Sequence, residues 1–369
     1  MDWSPQQDDA LTEVARWSRS HGPQVFRLFG YAGTGKTTLA RHLAEGLDGE
    51  VAFGAFTGKA AHVLRQKGCA DASTIHSLIY RPKGTKKDDE DEDESPQFAI
   101  NRDSPAAKVD LIIIDECSMV DEELGRDLLS FGKKVLVLGD PAQLPPVRGG
   151  GYFTESEPDI MLTEVHRQAK DNPIVRMSMD IRDGQELDFG QYGDSSVISR
   201  RDIDKERILA SDQVLVGTNK TRRLYNGRIR DLKGITTQMP SVGDKLVCLR
   251  NDKTKGLLNG GLWEVSRLRP PRGNTLRFDV TSEDDLSKKA IRVKVLPAMF
   301  EEGSEQLPYA IRRRADEFDY GYALTVHKSQ GSQWDDVVLF DESWAFREHK
   351  TRWLYTAVTR AAQKITVVR

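Results

Sequence analysis

The sequence predicts an α/β fold of two lobes, each on its own parallel sheet, with a small β insertion in the second. Three observations carry this. Short apolar runs alternate with helical stretches across the first 150 residues, and the alternation resumes after residue 150. "KVDLIIIDE" (108–116) and "KKVLVLGD" (133–140) have the unbroken apolar character of strands buried on both faces. At 369 residues the chain is long enough for two or more cores.

In chain order, "QVFRLFG" (24–30) is a strand running into a glycine loop, and "TTLARHLAEGL" (37–47) is the helix after it. "EVAFGAFT" (50–57) is a second strand, followed by the helix "GKAAHVLRQKG" (58–68), closed by glycine. Residues 81–107 break the rhythm as an insertion of disorder-prone composition. This places the first lobe at 1–150. Strand candidates with their flanks follow in "DIMLTEVHRQ" (159–168), "DQVLVGTNKTRRLYNGRI" (212–229), "DYGYALTVHKSQG" (319–331), "DDVVLF" (335–340) and "KITVVR" (364–369). They assign 151–240 and 319–369 to the second lobe. Between them, 241–318 holds short alternating strands with Gly, Asn and Pro turns, the pattern of a small β barrel.

No apolar run approaches the ~18 residues of a bilayer span, and the start "MDWSPQQDDA" is polar and acidic, so the expectation is a cytoplasmic protein. Cys69, Cys117 and Cys248 are scattered without metal-ligand spacing, as idle thiols in a reducing compartment would be. The net charge of −3 argues against a nucleic-acid binder on its face. Asp88–Glu94 is an unbroken acidic run of seven, however, and the remainder stands at +4. Any basic groove is therefore local.

Gly30-Tyr-Ala-Gly33-Thr34-Gly35-Lys36-Thr37 fits G-x-x-x-x-G-K-[ST] between a strand and a helix, the context a phosphate loop requires. Glycines turn backbone N–H groups onto phosphate oxygens, and the helix dipole favours the anion. Lys36 brings a mobile charge to the β- and γ-phosphates, and the Thr37 hydroxyl suits Mg²⁺. Thr34 and Thr38 complete the nucleotide contacts. Asp115 and Glu116 end the apolar strand, where Asp115 would hold Mg²⁺ and Glu116 would orient or deprotonate a water. Alone, an acidic pair at a strand end is ordinarily solvated; downstream of a phosphate loop it points to hydrolysis. "LVLGDPAQLPPV" (136–147) sets Gln143 on a loop beside the γ-phosphate position, though composition alone would make it a surface residue of a proline turn.

The ordered set "QQDDAL", "GYAGTGKT", "FTGKAA", "STIHS", "IIIDECSMV", "LGDPAQLPPV", "LTEVHRQ", "ALTVHKSQGSQWDDV" and "LYTAVTRA" resembles superfamily 1 helicases of the 5′→3′ class, RecD-like and Dda-like, over nearly the whole chain. The resemblance implies two RecA-like lobes with ATP between them, an SH3-like barrel at 241–318 and a strand-separating wedge in 81–107. It implies that Gln7 reads adenine, that Gln143 senses the γ-phosphate, and that Arg167 and Arg360 reach that phosphate from the second lobe. His166 would lie near the base, and Gly331 and Gln333 near the nucleotide's ribose. Thr57, Gly58 and Lys59, with Ser73, Thr74 and His76, would hold the strand's phosphates in the first lobe, and Thr325, His327 and Lys328 in the second. Small hydroxyls, backbone amides and single cations suit such sequence-blind contacts.

The resemblance further implies single-stranded DNA and duplex junctions as partners, in a monomeric motor of a bacterial or phage-infected cell. Two departures stand out. Gln333 replaces a glutamate frequent in the family, and the acidic run 88–94 would repel DNA phosphates where the wedge belongs; a loop that binds a protein partner is one reading, a solvated loop the other. An RNA-directed or nucleoprotein-remodelling motor is the alternative function, since backbone-gripping motifs do not separate DNA from RNA. A P-loop small-molecule kinase would have no use for the second-lobe motifs.

Overall fold

The computed structural model describes residues 3–369 apart from 48, 83–97, 147–149, 165–171, 253 and 304–305. The strands β1 (Val25–Gly30), β2 (Val51–Ala55), β3 (Ser73–Thr74), β4 (Tyr80–Pro82), β5 (Phe98–Ile100), β6 (Leu111–Asp115), β7 (Lys134–Gly139) and β8 (Ile160–Leu162) come first. Six of them make an all-parallel sheet in the order β3-β2-β6-β7-β1-β8. Its residues alternate between two buried faces. Ile112, Ile114, Val135 and Val137 point into one core, and Leu111, Ile113, Leu136 and Leu138 into the other. Both faces being covered is why the sequence reads as unbroken apolar runs there. The opening helix Pro5–Arg19 starts in a Ser4 capping box and lays Ala10, Val14 and Trp17 on the second of these cores.

The second sheet takes β9 (Gly190–Tyr192), β10 (Ser195–Ile198), β11 (Gln213–Val216), β17 (Ala323–Thr325), β18 (Trp334–Phe340) and β19 (Ala361–Val368), in the order β17-β11-β18-β19-β10-β9. It is parallel except for the β9–β10 hairpin. A third, antiparallel sheet runs β15-β14-β13-β12-β16, from β12 (Lys245–Cys248), β13 (Leu262–Arg272), β14 (Thr275–Ser282), β15 (Ile291–Val295) and β16 (Phe318–Tyr320). Trp263, Phe278, Val280, Val293 and Phe318 fill its core. No helix of the described residues is long and apolar enough to cross a membrane, and all three cysteines are buried and free.

Three sequence-based expectations are corrected. The lobe boundary at 150/151 cuts the first sheet, because Ile160–Leu162 pairs with Leu28–Gly30 beyond it. The expected barrel is an open five-stranded sheet. Among the described residues its edges approach only where Asp316 N–H donates to Lys294 O (2.8 Å) and the Asp316 carboxylate accepts from Lys294 N–H (2.9 Å). Its last strand, Phe318–Tyr320, also crosses the boundary drawn at 319. The insertion keeps a two-stranded pair, β4 with β5, while the acidic run 88–94 lies outside the described residues.

The second and third sheets are locked by a buried ion pair. Arg230, on the helix Asn219–Leu232, meets both oxygens of Asp244 (2.9 and 3.0 Å) and donates to the carbonyls of Thr237 (2.7 Å) and Met239 (3.0 Å). Removing one partner leaves the other charge buried and alone. Arg230→Ala is therefore expected to cost about 3–5 kcal/mol, read from the urea midpoint; a loss within experimental error would show the junction is held by something else.

Candidate nucleotide cleft and strand-binding face

The phosphate loop leaves β1 at Gly30 and enters the helix Lys36–Glu45. Gly33 and Gly35 adopt φ of +79° and +78°, which favours glycine. A Cβ on Gly30 would lie 2.6 Å from Thr34 Oγ1 and 2.8 Å from Leu162 Cβ, so β8 also demands glycine there. Lys36 Nζ curls over the loop and donates to the carbonyls of Gly30 (2.5 Å) and Tyr31 (2.9 Å). Thr34 is buried, and its hydroxyl donates to Tyr31 O at 2.9 Å. Thr38 follows, half-buried, in the first turn of the helix.

Thr37 Oγ1 donates to Asp115 Oδ2 at 2.9 Å, which joins the two expected Mg²⁺ ligands. Their oxygens suit a hard cation. Glu116 has φ +55°, one of two non-glycine residues at positive φ among the described residues; such strain clusters at functional sites. Burial pushes the Glu116 carboxyl up from its ordinary 4.5, with Asp115 and Asp140 pushing the same way, while Arg360 and then Lys36 pull it down. Gln143 is buried and its Oε1 has no partner among the described residues, as an acceptor facing a ligand would be.

Arg360 comes from the other lobe. Its guanidinium is buried and, among the described residues, bonded only to neutral groups: Thr356 O (3.0 Å), Ser332 O (3.2 Å) and Thr359 Oγ1 (3.2 Å). Among the described residues no carboxylate stands within ion-pair distance of it, yet it is the strongest cation acting on Glu116. A buried cation without an anion is costly unless a ligand supplies one. His166 and Arg167 lie outside the described residues.

The profile described as an AAA domain matches residues 2–202, more than half the chain, and one described as a UvrD-like helicase C-terminal domain matches residues 320–368. The chain belongs to the superfamily 1B, RecD/Pif1/Dda-like helicases. It is 29% identical to the ATP-dependent RecD2 DNA helicase of Deinococcus radiodurans, over 98% of this chain and 48% of that one. It is 25% identical to the ATP-dependent DNA helicase Pif1 of Bdellovibrio bacteriovorus, over 90% of this chain and 81% of the relative. This superfamily 1B chain thus spans about half the length of RecD2. A crystal structure of Bacteroides Pif1 bound to single-stranded DNA shares its fold, with a TM-score of 0.60 and 18% identity over 99% of this chain and 92% of that one.

Several motif residues make contacts within the chain. The Gln7 amide bonds within the chain: Oε1 accepts from Ser4 N–H (3.0 Å) and Nε2 donates to Thr34 O (3.0 Å). Capping-box geometry turns it back onto its own helix start. Lys59 is buried, 3.0 Å from Asp284 and 4.9 Å over the Trp334 ring, so its charge ties the first lobe to the third sheet instead of standing free for phosphate. Gly58 is also covered, since a Cβ there would meet Asn251 at 2.7 Å. Gly331, at φ +75°, packs on the strand-binding motif, with a Cβ falling 2.9 Å from Ala60 Cβ and 3.2 Å from Thr57 Oγ1. Gln333 is exposed and reaches Ala361 O at 3.4 Å.

The three motif threonines share one local chemistry. Thr57, Thr74 and Thr325 each follow or end a strand and cap a helix, accepting from Ala60 N–H (3.1 Å), Ser77 N–H (3.1 Å) and Lys328 N–H (3.3 Å). Ser73 lies beside the second of these, in β3. His76 is exposed beside the Phe56 and Tyr80 rings. His327 is half-buried against Phe346; burial, then His349, lowers its pKa, so it is a neutral hydrogen-bonding group at pH 7. Lys328 beside it is exposed.

Motif reasoning missed the residues that join the lobes. Tyr355 is buried in the seam, where its hydroxyl donates to Asp140 Oδ2 (2.7 Å) and accepts from Ala32 N–H of the phosphate loop (3.0 Å). Thr356 Oγ1 accepts from Leu144 N–H (2.9 Å), and Gln330 donates to Leu144 O (3.1 Å). Arg182 lies 4.2 Å over the Tyr31 ring. "LYTAVTRA" contained Tyr355 and Thr356, but nothing in the spacing of that motif says which lobe they touch.

Two outcomes are expected. Tyr355→Phe removes only the hydroxyl and with it both seam hydrogen bonds, so ATP turnover should fall about tenfold or more, with a smaller change in KM; an unchanged kcat would exclude this hydroxyl from catalysis. Glu116 as a base must be ionised, so kcat/KM should fall with decreasing pH through a limb above 4.5, and Glu116→Gln should lose that limb along with most activity.

Proposed function

We propose that this chain is an ATP-driven motor on single-stranded DNA, moving 5′→3′ and separating strands at duplex junctions. The observation that carries this is Arg360, a buried cation of the second lobe with no carboxylate within ion-pair distance among the described residues, whose charge acts on Glu116 together with that of Lys36. That arrangement suits a triphosphate shared by two lobes: Lys36 and the loop amides hold it from one side, and Arg360 engages its terminal phosphate from the other. Thr37 and Asp115 would hold Mg²⁺, which neutralises phosphate charge when bound. Gln143 orients the attacking water with its free Oε1, and Glu116 takes its proton.

Closure of the seam then alternates with release. Tyr355, Thr356 and Gln330 couple the phosphate loop and the 140–144 segment directly to the second lobe. The capped helices behind Thr57, Thr74 and Thr325 offer backbone amides to a strand's phosphates from both lobes. We read the third sheet as the counterpart of the family's SH3-like insertion. Opening a base step costs about 1–2 kcal/mol in stacking, well within one ATP turnover.

Arg360→Ala should retain ATP binding and lose roughly 10³-fold in turnover; a wild-type rate removes it from the active site. Unwinding of duplexes carrying either a 5′ or a 3′ single-stranded tail tests the motor itself, with opening of the 5′-tailed substrate expected. Preference for the 3′ tail would reverse the polarity, and stimulation by RNA alone would reassign the substrate.

A further inference from the structure

The third sheet carries a row of like charges that the fold does not need. Arg269 stands directly opposite Arg277, and Arg277 directly opposite Lys294, so three cations line up across β13, β14 and β15. The next row is Arg267, Asp279 and Arg292. Directly opposed residues share a face, and the alternate residues Phe278, Val280 and Val293 face inward to the core, so both rows point outward. Five cations thus surround one carboxylate, Asp279, which is held by Arg269 at 2.6 and 2.7 Å and approached by Arg292 at 3.8 Å. Arg267, Arg292 and Lys294 are exposed. Like charges in direct opposition destabilise a sheet, and among the described residues Asp279 is the one carboxylate of these two rows set against them.

We propose that this outward face of β13–β15 is a second nucleic-acid site, one that grips the phosphate backbone of the duplex ahead of the junction. The proposal rests on the DNA-motor reading. Charge complementarity selects a polyanion. The composition of the face then selects among nucleic acids: neither row holds an aromatic side chain, so it offers nothing on which unstacked bases could lie, whereas single-strand sites combine cations with such rings. A duplex hides its bases and presents phosphates alone, which is the partner a ring-free cationic sheet fits. Position separates the face from the strand-binding motifs. Asp284 meets Lys59 of the first lobe, and Arg277 lies seven residues earlier in the chain, roughly 20 Å away by strand rise.

The test compares binding of two labelled probes, a single-stranded oligonucleotide and the same oligonucleotide annealed into a 5′-tailed duplex, by fluorescence anisotropy over a salt series. Arg277→Glu/Lys294→Glu should weaken the tailed duplex by about 10-fold or more and flatten its salt dependence by about two phosphate contacts. Single-strand affinity and single-strand-stimulated ATPase should stay within about twofold. Arg277→Gln/Lys294→Gln, which removes charge without reversing it, should give a smaller loss in the same direction, and an unchanged thermal melt would exclude unfolding. Equal loss on both probes would place the face on the single strand's own path and overturn the proposal, as would an unchanged affinity for the tailed duplex. Absence of DNA-stimulated ATPase in the unsubstituted chain would instead sink the motor reading, so the two failures are distinguishable.

Discussion

One buried hydroxyl joins the two halves of this molecule. Tyr355 belongs to the second lobe, yet both of its hydrogen-bond partners, Asp140 and the Ala32 amide, belong to the first. In a seam closed to water each of those bonds is obligatory, because a stranded donor or acceptor there costs about 1–3 kcal/mol. The phosphate loop and the segment that positions Gln143 are therefore held in register with the second lobe before any nucleotide arrives. Leu144 adds an apolar counterpart by packing in the second lobe's core. A change at the phosphates is felt across the seam because the same few bonds define both.

The distribution of partnered and unpartnered charge separates scaffold from site. Arg222, Arg230 and Lys59 are all buried, and each is matched to an aspartate. Arg360 is as deeply buried and matched to none among the described residues, and Gln143 likewise keeps an open acceptor. Groups that serve the fold are neutralised within it. Groups that await a ligand are left unsatisfied, at a cost that the rest of the packing absorbs. On the surface of the third sheet, the opposed cations on β13–β15 outnumber the one carboxylate, Asp279, that stands in their rows.

Some contacts could not be read from residue type alone. Lys59 has the residue type of a phosphate contact, but Asp284 is 225 positions away in the chain and only folding brings it within 3.0 Å. Gln7 has the type of a base reader, but Ser4 three residues earlier closes a capping box on it. The lobe boundary failed because β8 is a three-residue strand, too short for an alternating pattern to announce that it returns to β1.

The sequence by itself determined the elements and the local chemistry. Apolar runs set the buried strands, the glycines set the phosphate loop, and strand-end threonines set the helix caps, because each of these depends on neighbours within a few residues. It also determined the family, through the order of its motifs. Only the tertiary structure decided which charges are spent and which remain available, which lobe Tyr355 grips, and that five cations share one face of the third sheet. Those properties depend on distances between residues far apart in the chain, and burial, which sets their energetic weight, exists only once the chain has folded.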